Sequence, residues 1–327
     1  MNNSEFDIIK KYFTFTHHRD DVLLAGGDDC AVVSPPENKQ IVITTDTLIS
    51  GVHFPENTRA EDIAYKALMV NLSDLAAMGA KPAWLTLAIS LPEVNENWLA
   101  AFSKQLGELL LKYNISLIGG DTTRGPLSIT MQAMGLADKK NIMRRDQALA
   151  GDSIFVTGDI GDAAIGLLAL KNDINDDELL PCIQRLNRPQ ARIKFAEELA
   201  CYTKCAIDIS DGLAADLGHI IEASHCGARI YLSDIPLSAS AAYYFEQYPG
   251  KFQKNEVDWT IVLTQGDDYE LCFTVNRENR SAVEALANSH QLKLSRIGEI
   301  TDVNKMEFID ENNNPLIFSN VGFNHFK

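Results

Sequence analysis

The chain has 327 residues, of which 46% are hydrophobic and 23% are charged, so it carries enough apolar material for a large core or for two domains. This composition excludes a disordered or low-complexity chain. The 29 Lys and Arg residues against 45 Asp and Glu residues give a formal net charge of −16, which disfavours nucleic acid and anionic lipid as partners and requires cations beside any bound phosphate.

The first half of the chain predicts alternating strands and helices. Runs rich in β-branched residues or with alternating polarity predict strands, and apolar residues three or four apart predict helices. The predicted strands are residues 40–45, 83–90, 115–118 and 127–134, and the predicted helices are residues 60–78 and 97–113. Gly79 and Pro82 are expected to end the first of these helices.

The second half repeats this pattern after a charged segment, residues 137–151, that lacks a sustained period and is the expected domain junction. The predicted strands here are residues 153–157, 206–209, 228–232, 269–275 and 293–300, and the predicted helices are residues 163–170, 189–200 and 213–223. We expect an α+β protein of the α/β sandwich type with two domains, residues 1–138 and 139–327.

The cysteines and the hydropathy pattern indicate the compartment. Six cysteines occur without a paired C-x-x-C spacing, so neither a zinc ribbon nor a disulfide framework is indicated. The first residues lack the features of a signal peptide, and the apolar runs are too short to span a bilayer. We expect a reduced, cytoplasmic protein that binds neither membrane nor nucleic acid.

Aspartates recur at the ends of apolar runs, where α/β proteins assemble their sites. The five segments are Gly27-Asp28-Asp29, Thr44-Thr45-Asp46, Ser73-Asp74, Gly119-Gly120-Asp121 and Asp208-Ile209-Ser210-Asp211. Asp74 is the one ionisable residue of an apolar stretch, residues 67–80, so its buried carboxylate needs a partner. A local hydrogen bond or an Arg partner is the structural alternative for Asp74. Capping of the following helix is the alternative for Asp211.

Taken together, these carboxylates indicate Mg²⁺, because the nearby Lys and Arg residues are too few to pair with all of them. Carboxylate-bound Mg²⁺ in turn indicates phosphate chemistry. The chain has no G-x-x-x-x-G-K-[ST] motif and no H-R-D loop with D-F-G, so the usual kinase folds are disfavoured. The run Gly158-Asp159-Ile160-Gly161 lacks dinucleotide-fingerprint spacing and favours a tight strand-to-helix turn. Arg144-Arg145 is either a phosphate contact or a solvated pair.

These motifs resemble those of the thiamine-monophosphate kinase family, in the superfamily of aminoimidazole ribonucleotide synthetase and selenophosphate synthetase. The matching segments, in family order, are GGDDCAVV, TTDTLISGVHF, NLSDLAAMGAKP, GGDTTRG, RRDQALAGD, DISDGL and GDDYEL. The resemblance implies an N-terminal α/β domain that binds ATP and Mg²⁺ and dimerises through its sheet. It also implies a C-terminal α/β domain that completes the ATP and substrate site.

The same resemblance implies roles for individual residues. The implied ligands of several magnesium ions are Asp29, Thr44, Thr45, Asp46, Asp74, Asp121, Asp208 and Asp211. The implied ATP contacts are Gly120, Asp121, Arg145 and Ser210, and the implied contacts of thiamine monophosphate are His53, Glu270 and Phe323. An aromatic ring such as Phe323 suits a cationic thiazolium, and a carboxylate such as Glu270 balances its charge. The structural alternatives are a loop histidine, a solvent-facing Glu270 and a core Phe323.

Two positions depart from the family pattern. Gln265-Gly266-Asp267-Asp268 stands where Gly-Gly-Glu-Asp is expected, which makes that loop more polar and less flexible. Arg145 is followed by Asp146 rather than by a small residue, which places an acid beside the implied ATP arginine. Neither change removes an implied ligand.

The resemblance therefore implies ATP-dependent phosphorylation of thiamine monophosphate to thiamine diphosphate by a homodimer. The substrate phosphate is already ionised, so the reaction needs positioning and charge neutralisation rather than a general base. One alternative is the ATP-driven ring closure of the related synthetase. The other is a nucleotide or metal sensor without turnover.

Overall fold

The structure is a computed structural model that describes residues 4–15, 19–248, 256–316, 318 and 322. The chain divides into two compact units. Unit 1 is Met1–Leu75 with Ala80–Lys140, and unit 2 is Ala76–Gly79 with Asn141–Lys327. Within the described residues, no helix is both long and apolar enough to cross a membrane.

Unit 1 is built on a four-stranded mixed sheet. Its elements are α1 (Glu5–Tyr12), β1 (Val22–Leu24), β2 (Val32–Val33), β3 (Lys39–Ile49), α2 (Ala60–Ala77), β4 (Lys81–Leu91), α3 (Glu96–Tyr113), β5 (Ser116–Arg124) and β6 (Ser128–Asp138). The strand order is β3-β6-β4-β5, and β1 and β2 form a separate two-stranded ribbon. The β4–β5 pair is parallel, and the β3–β6 and β6–β4 pairs are antiparallel.

The helices of unit 1 begin and end where local chemistry dictates. The Asn95 side chain caps the start of α3 by accepting from the Trp98 N–H, and Asn114 ends this helix in the left-handed conformation. Gly79 ends α2, as predicted, because its positive φ lets its N–H and that of Ala80 bond back to the Ala76 and Leu75 carbonyls.

The two faces of this sheet differ in burial. Along β3, alternate residues from Val42 to Leu48 are partly or fully buried. The opposite face keeps large apolar side chains in solvent: Ile41, Ile43 and Ile49 are 42%, 58% and 39% exposed. Because successive strand residues point to opposite faces, β3 has one covered and one open face.

Unit 2 is built on a seven-stranded sheet. Its elements are β7 (Ser153–Thr157), α4 (Asp162–Lys171), α5 (Leu180–Asn187), α6 (Ile193–Leu199), β8 (Cys205–Asp208), α7 (Leu213–Ser224), β9 (Gly227–Tyr231), α8 (Ala239–Gln247), α9 (Trp259–Thr264), β10 (Leu271–Val275), α10 (Arg280–Ser289), β11 (Leu294–Thr301), β12 (Met306–Ile309) and β13 (Pro315–Leu316). The strand order is β13-β12-β9-β11-β7-β10-β8. The β12–β9 pair is parallel, and the other neighbouring pairs are antiparallel.

Three strands of unit 2, the neighbours β7 and β10 and the edge strand β8, consist mainly of apolar residues. All residues of β7, β8 and β10 are buried. Asp208, the charged last residue of β8, is therefore buried with the rest of its strand. The predicted α+β class with two domains is confirmed, and the sheet of each unit is mixed.

Three sequence-based expectations about elements are wrong. Strand β3 extends through Asp46 to Ile49, so Asp46 lies within a strand and not in the turn after it. Strand β5 likewise continues beyond the predicted strand 115–118 and contains the Gly119-Gly120-Asp121 run. Helix α6 begins at Ile193, so Pro189 precedes it instead of lying in its first turn.

Candidate functional site

Thr44, Asp46 and Asp74 form a polar cluster between β3 and α2. Thr44 and Asp46 lie two residues apart on β3, so their side chains point to the same covered face of the sheet. The Thr44 hydroxyl donates a hydrogen bond to the Asp74 carboxylate. Burial, with the negative charge of Asp74, raises the pKa of Asp46 to about 7. Two mutually repelling carboxylates are thus held at a partly buried position.

One carboxylate oxygen of this cluster lacks a hydrogen-bond partner within the part of the chain that the structure describes. Oδ2 of Asp46 is buried and has no hydrogen-bond partner among the described residues, which is costly for a carboxylate. Mg²⁺ prefers carboxylate and other hard oxygen ligands, and its charge would offset the repulsion between Asp46 and Asp74. The donor atoms of Thr44, Asp46 and Asp74 therefore fit a magnesium ion.

Asp121 and Thr45 lie on the opposite face of the same sheet. Asp46 and Gly120 belong to one cross-strand row, and the three strand spacings between them amount to roughly 14 Å. Asp121 is the next residue after Gly120 and pairs with the exposed Ala88, so it points to the open face, as Thr45 does. The structure therefore does not bring Asp121 to the cluster of Asp46.

Asp29 lies in an exposed loop before β2. Its backbone N–H donates to the carboxylate of Asp28 at 2.8 Å. Across the described ranges, no three His, Cys, Asp or Glu side chains are grouped so that they could hold one ion. Among the implied metal ligands of unit 1, the described structure therefore brings together Thr44, Asp46 and Asp74.

Gly120 is required by the close packing of β5 on β4. Its φ is +154°, and a Cβ at this position would lie 1.8 Å from the Leu87 carbonyl oxygen. Gly120 thus lets Asp121 continue the strand next to β4. Its contact with ATP stays a prediction.

His53 lies in a tight turn after β3. The ring Nδ1 accepts a hydrogen bond from the Ile49 N–H at 3.0 Å. The His53 carbonyl accepts from the ammonium of Lys66, a buried residue of α2, at 3.2 Å. A backbone donor at Nδ1 places the ring proton on Nε2. His53 is therefore an ordered ring with a fixed tautomer, and its contact with substrate stays a prediction.

The DISDGL segment joins β8 to α7. Asp208 is buried at the end of β8, and Ser210 and Asp211 are half-buried. The N-cap residue of α7 is Gly212, without a side-chain capping bond, so the capping alternative for Asp211 is wrong. Asp216, in the first turns of α7, instead accepts from the N–H groups of Ser210 and Asp211, both at 3.0 Å.

Arg145 is exposed, and the hydroxyl of Ser224 holds its backbone. Its carbonyl accepts from the Ser224 hydroxyl at 2.8 Å, and its positive charge favours the ionised form of the buried Asp216. The adjacent acid does not pair with it, because the carboxylate of Asp146 is 2.5 Å from the guanidinium of Arg144. The departure from the family pattern at Asp146 therefore leaves the charge of Arg145 available.

Glu270 does not face solvent, so that alternative is wrong. It is 0% exposed, and its carboxylate is paired with the guanidinium groups of Arg185 and Arg192. Its charge is thus already balanced within the protein, which does not support a role in balancing a substrate thiazolium. Phe323 lies outside the described residues.

Asp268, in the same GDDYEL segment, also makes contacts within the protein. Both carboxylate oxygens of Asp268 accept from the N–H of Gly161, at the start of α4, and burial raises the pKa of Asp268 well above its usual value. The loop at Gly158–Gly161 is therefore the expected tight strand-to-helix turn. An Asp or Glu in an apolar run predicts a buried acid, as for Asp268 and Glu270. No local pattern predicts their distant partners, which are Gly161 for Asp268 and Arg185 and Arg192 for Glu270.

Comparisons with known proteins give the same family along the whole chain. The model of the AIR synthase related protein, N-terminal domain, matches residues 27–137, and that of the C-terminal domain matches residues 150–311. The thiamine-monophosphate kinase of Escherichia coli K12 is 44% identical over 329 residues, which cover 98% of each chain. That of Bacillus subtilis 168 is 32% identical and covers 99% of each chain.

Solved structures agree with these relatives. Thiamine-monophosphate kinase from Stenotrophomonas maltophilia K279a superposes with a TM-score of 0.85 at 43% identity, over 93% of this chain and 96% of that one. A structure described as AaThiL complexed with AMPPCP and TMP gives a TM-score of 0.78 at 28% identity, over 98% and 96% of the two chains. The hydrogenase maturation protein HypE of E. coli shares the fold alone, with a TM-score of 0.79 at 20% identity over 100% of this chain and 98% of that one.

Proposed function

This chain belongs to the AIR synthase related protein family, and from that premise we propose that it is a kinase that uses ATP to convert thiamine monophosphate to thiamine diphosphate. The observation that carries the proposal is the 44% identity to a thiamine-monophosphate kinase over 98% of both chains. The buried, unpartnered oxygen of Asp46 is the structural feature that a metal-dependent phosphotransferase explains.

Magnesium is the cation that suits the acidic residues of unit 1. When bound, Mg²⁺ supplies the positive charge that offsets the nucleotide phosphates. Thr44, Asp46 and Asp74 would hold it, on the evidence of their hydrogen bond, their repulsion and the Asp46 oxygen. Asp29, Thr45, Asp121, Asp208 and Asp211 remain proposed ligands of further ions.

The chain contributes mainly positioning and charge. Arg145 is exposed with its carbonyl fixed, which suits a guanidinium that orients nucleotide phosphates. Ser210 and Gly120 remain proposed ATP contacts. The phosphate oxygen of thiamine monophosphate attacks the γ-phosphorus of ATP in line, and the bond from γ-phosphorus to ADP breaks. Because this nucleophile is already ionised, no side chain is assigned as a general base.

The domain roles and the dimer are part of the same proposal. Residues 1–138 supply the metal cluster, the dimer surface and the proposed substrate contact His53, and residues 139–327 supply Arg145, Ser210 and the proposed substrate contact Phe323. A homodimer packed through the open face of β3 would cover three exposed isoleucines. It would also enclose Thr45 and Asp121, which point to that face. All six cysteines are free, which agrees with a cytoplasmic location.

The proposal is tested by incubating the purified protein with ATP, Mg²⁺ and thiamine monophosphate and detecting thiamine diphosphate by chromatography. We expect product from the wild type and its loss in Asp74→Asn, which keeps the side-chain shape and removes one metal-binding charge. Asp146→Asn is the matched control, because its carboxylate pairs with Arg144 at the surface. A folded wild type that binds Mg·ATP but forms no product would contradict the proposal and favour the cyclase or the sensor.

A further inference from the structure

Glu270 makes the most complete set of side-chain contacts in unit 2. Its Oε1 accepts from Nη2 of Arg185 and Nη2 of Arg192. Its Oε2 accepts from Nε of Arg192 at 2.7 Å and from the Thr157 hydroxyl at 2.6 Å. A carboxylate offers about four acceptor positions, and these four donors fill them. No acceptor position of Glu270 is left for a substrate.

The backbone beside Glu270 holds the DISDGL segment from one side. The Ile209 N–H donates to the Glu270 carbonyl at 2.8 Å, and the Tyr269 N–H donates to the Ile209 carbonyl at 2.8 Å. The Asp267 N–H donates to the Ser210 carbonyl at 2.9 Å. Three hydrogen bonds therefore extend the β8–β10 pairing into the loop that follows β8. The buried ion cluster of Glu270 anchors one side of this extension.

Gly266 shows how closely the two segments pack. A Cβ on Gly266 would lie 1.8 Å from the Ser210 carbonyl oxygen, so a side chain cannot enter this position without moving the loop. Gln265, by contrast, has an extended backbone with φ −99° that does not require glycine. The departure from the family pattern at Gln265 is therefore tolerated, whereas Gly266 is required.

Asp216 holds the same segment from the other side. It is 3% exposed, and its Oδ2 accepts from the N–H groups of Ser210 and Asp211, both at 3.0 Å. Together with the bonds to residues 267–270, these contacts engage the N–H and carbonyl of both Ile209 and Ser210. The backbone N–H groups of Ser210 and Asp211 are therefore occupied, so these two half-buried residues can contact a ligand through their side chains and not through their amides.

We propose that Glu270 and Asp216 are positioning residues that fix the side chains of the DISDGL segment for Mg·ATP, and that Glu270 does not contact thiamine monophosphate. This inference rests on the proposed function for the identity of the ligands. It differs from a substrate-contact role in one measurable respect. A positioning residue acts on nucleotide binding in the absence of thiamine monophosphate, whereas a substrate contact does not.

The first test is the calorimetric dissociation constant of Mg·AMPPCP, measured without thiamine monophosphate, for wild type and Glu270→Gln. The amide keeps the size of the side chain but removes the charge and presents an N–H₂ group to donors. We expect binding to weaken at least about tenfold, which corresponds to about 1.4 kcal/mol. Glu307→Gln is the matched control, because Glu307 pairs with Lys305 and Arg229 in the same unit, away from this loop.

Steady-state kinetics give the second measurement. The positioning role predicts a raised KM for ATP and a lowered kcat in Glu270→Gln, with little change in the KM for thiamine monophosphate. Unchanged Mg·AMPPCP affinity with a raised KM for thiamine monophosphate would overturn the inference. If the wild type binds Mg·AMPPCP without turnover, the proposed function fails while the binding test still decides the positioning role.

A second pair of variants covers the case in which Glu270→Gln does not fold. Asp216→Asn keeps an oxygen that accepts from the Ser210 and Asp211 N–H groups, whereas Asp216→Ala removes it. We expect Asp216→Ala to weaken Mg·AMPPCP binding about tenfold and Asp216→Asn to restore most of the affinity. Equal affinity of Asp216→Ala and the wild type would overturn the positioning role of Asp216.

Discussion

The two units bury carboxylates in opposite ways. In unit 2, Glu270, Asp268 and Asp216 are each held by guanidinium or backbone N–H donors. In unit 1, Asp46 faces the like charge of Asp74 and keeps one buried oxygen without a partner. A carboxylate whose acceptors are filled supports the structure around it. A carboxylate with an unfilled acceptor and a like-charged neighbour indicates a missing cation.

The largest expected effect on stability comes from removing a paired carboxylate. Glu270→Ala leaves Arg185 and Arg192, which have side chains 19% and 17% exposed, without their counter-charge. Breaking such a pair from one side costs about 3–5 kcal/mol. Chemical denaturation should therefore show a large fall in the free energy of unfolding. A loss no greater than that of a surface variant would contradict the assignment of Glu270 as a structural anchor.

Removing the carboxylate of Asp46 should raise the free energy of unfolding, whereas removing that of Glu270 lowers it. The pKa of Asp46 is raised to about 7, so between about pH 4 and pH 7 the folded chain keeps a proton that the unfolded chain has lost. The free energy of unfolding without Mg²⁺ therefore falls as pH rises through this window. Asp46→Asn should remove the contribution of Asp46 to this fall and stabilise the chain above about pH 7, by up to about 4 kcal/mol for about three pKa units.

Asp216 adds to the same pH dependence, because burial raises its pKa to about 7 as well. Asp46→Asn should therefore make the fall shallower without abolishing it. Denaturation curves of both proteins at several pH values check this expectation. An equal slope in the two proteins would show that Asp46 is not the titrating group.

The open face of unit 1 gives a prediction about assembly. Ile43, which is 58% exposed on β3, would lie inside the proposed dimer. Ile43→Lys should shift the protein from dimer to monomer in sedimentation analysis, because a buried unpaired ammonium is costly. Leu111→Lys is a matched control, since Leu111 is 65% exposed on α3. A wild type that is monomeric at all concentrations would contradict the dimer.

The smallest effect is expected at Asp146. Its carboxylate pairs with Arg144 at the surface and not with Arg145, and exposed ion pairs contribute little to stability. Asp146→Ala should therefore leave the melting temperature and the KM for ATP unchanged. A marked change in the KM for ATP would show that Asp146 does modulate Arg145.

The sequence predicted the elements that have strong periodicity and the acids that stand out in apolar runs. Helix α2 and strand β7 lie where the pattern placed them, and Asp74 was identified because its surroundings are apolar. The partners of Glu270 could not be predicted, since Thr157, Arg185 and Arg192 reach it from 78 to 113 residues away.

Strand ends were the least predictable feature near the site. Local β propensity stopped the first strand at Thr45, but pairing with β6 along its full length extends β3 to Ile49. Tertiary pairing thus overrides a run of residues that looks like a turn. The face of the sheet to which Asp121 points follows from the register of β5 with β4. No local sequence pattern predicts that register.

The central claim is that the carboxylates of unit 1 await a cation, and the melting temperature of wild type and Asp46→Asn with and without Mg²⁺ tests it most directly. At about pH 8, above the pKa of Asp46, ion binding to the folded state should raise the melting temperature of the wild type. We predict a clear increase for the wild type and a clearly smaller one for Asp46→Asn. An equal increase in both proteins, or none in the wild type, would contradict the magnesium site at Thr44, Asp46 and Asp74.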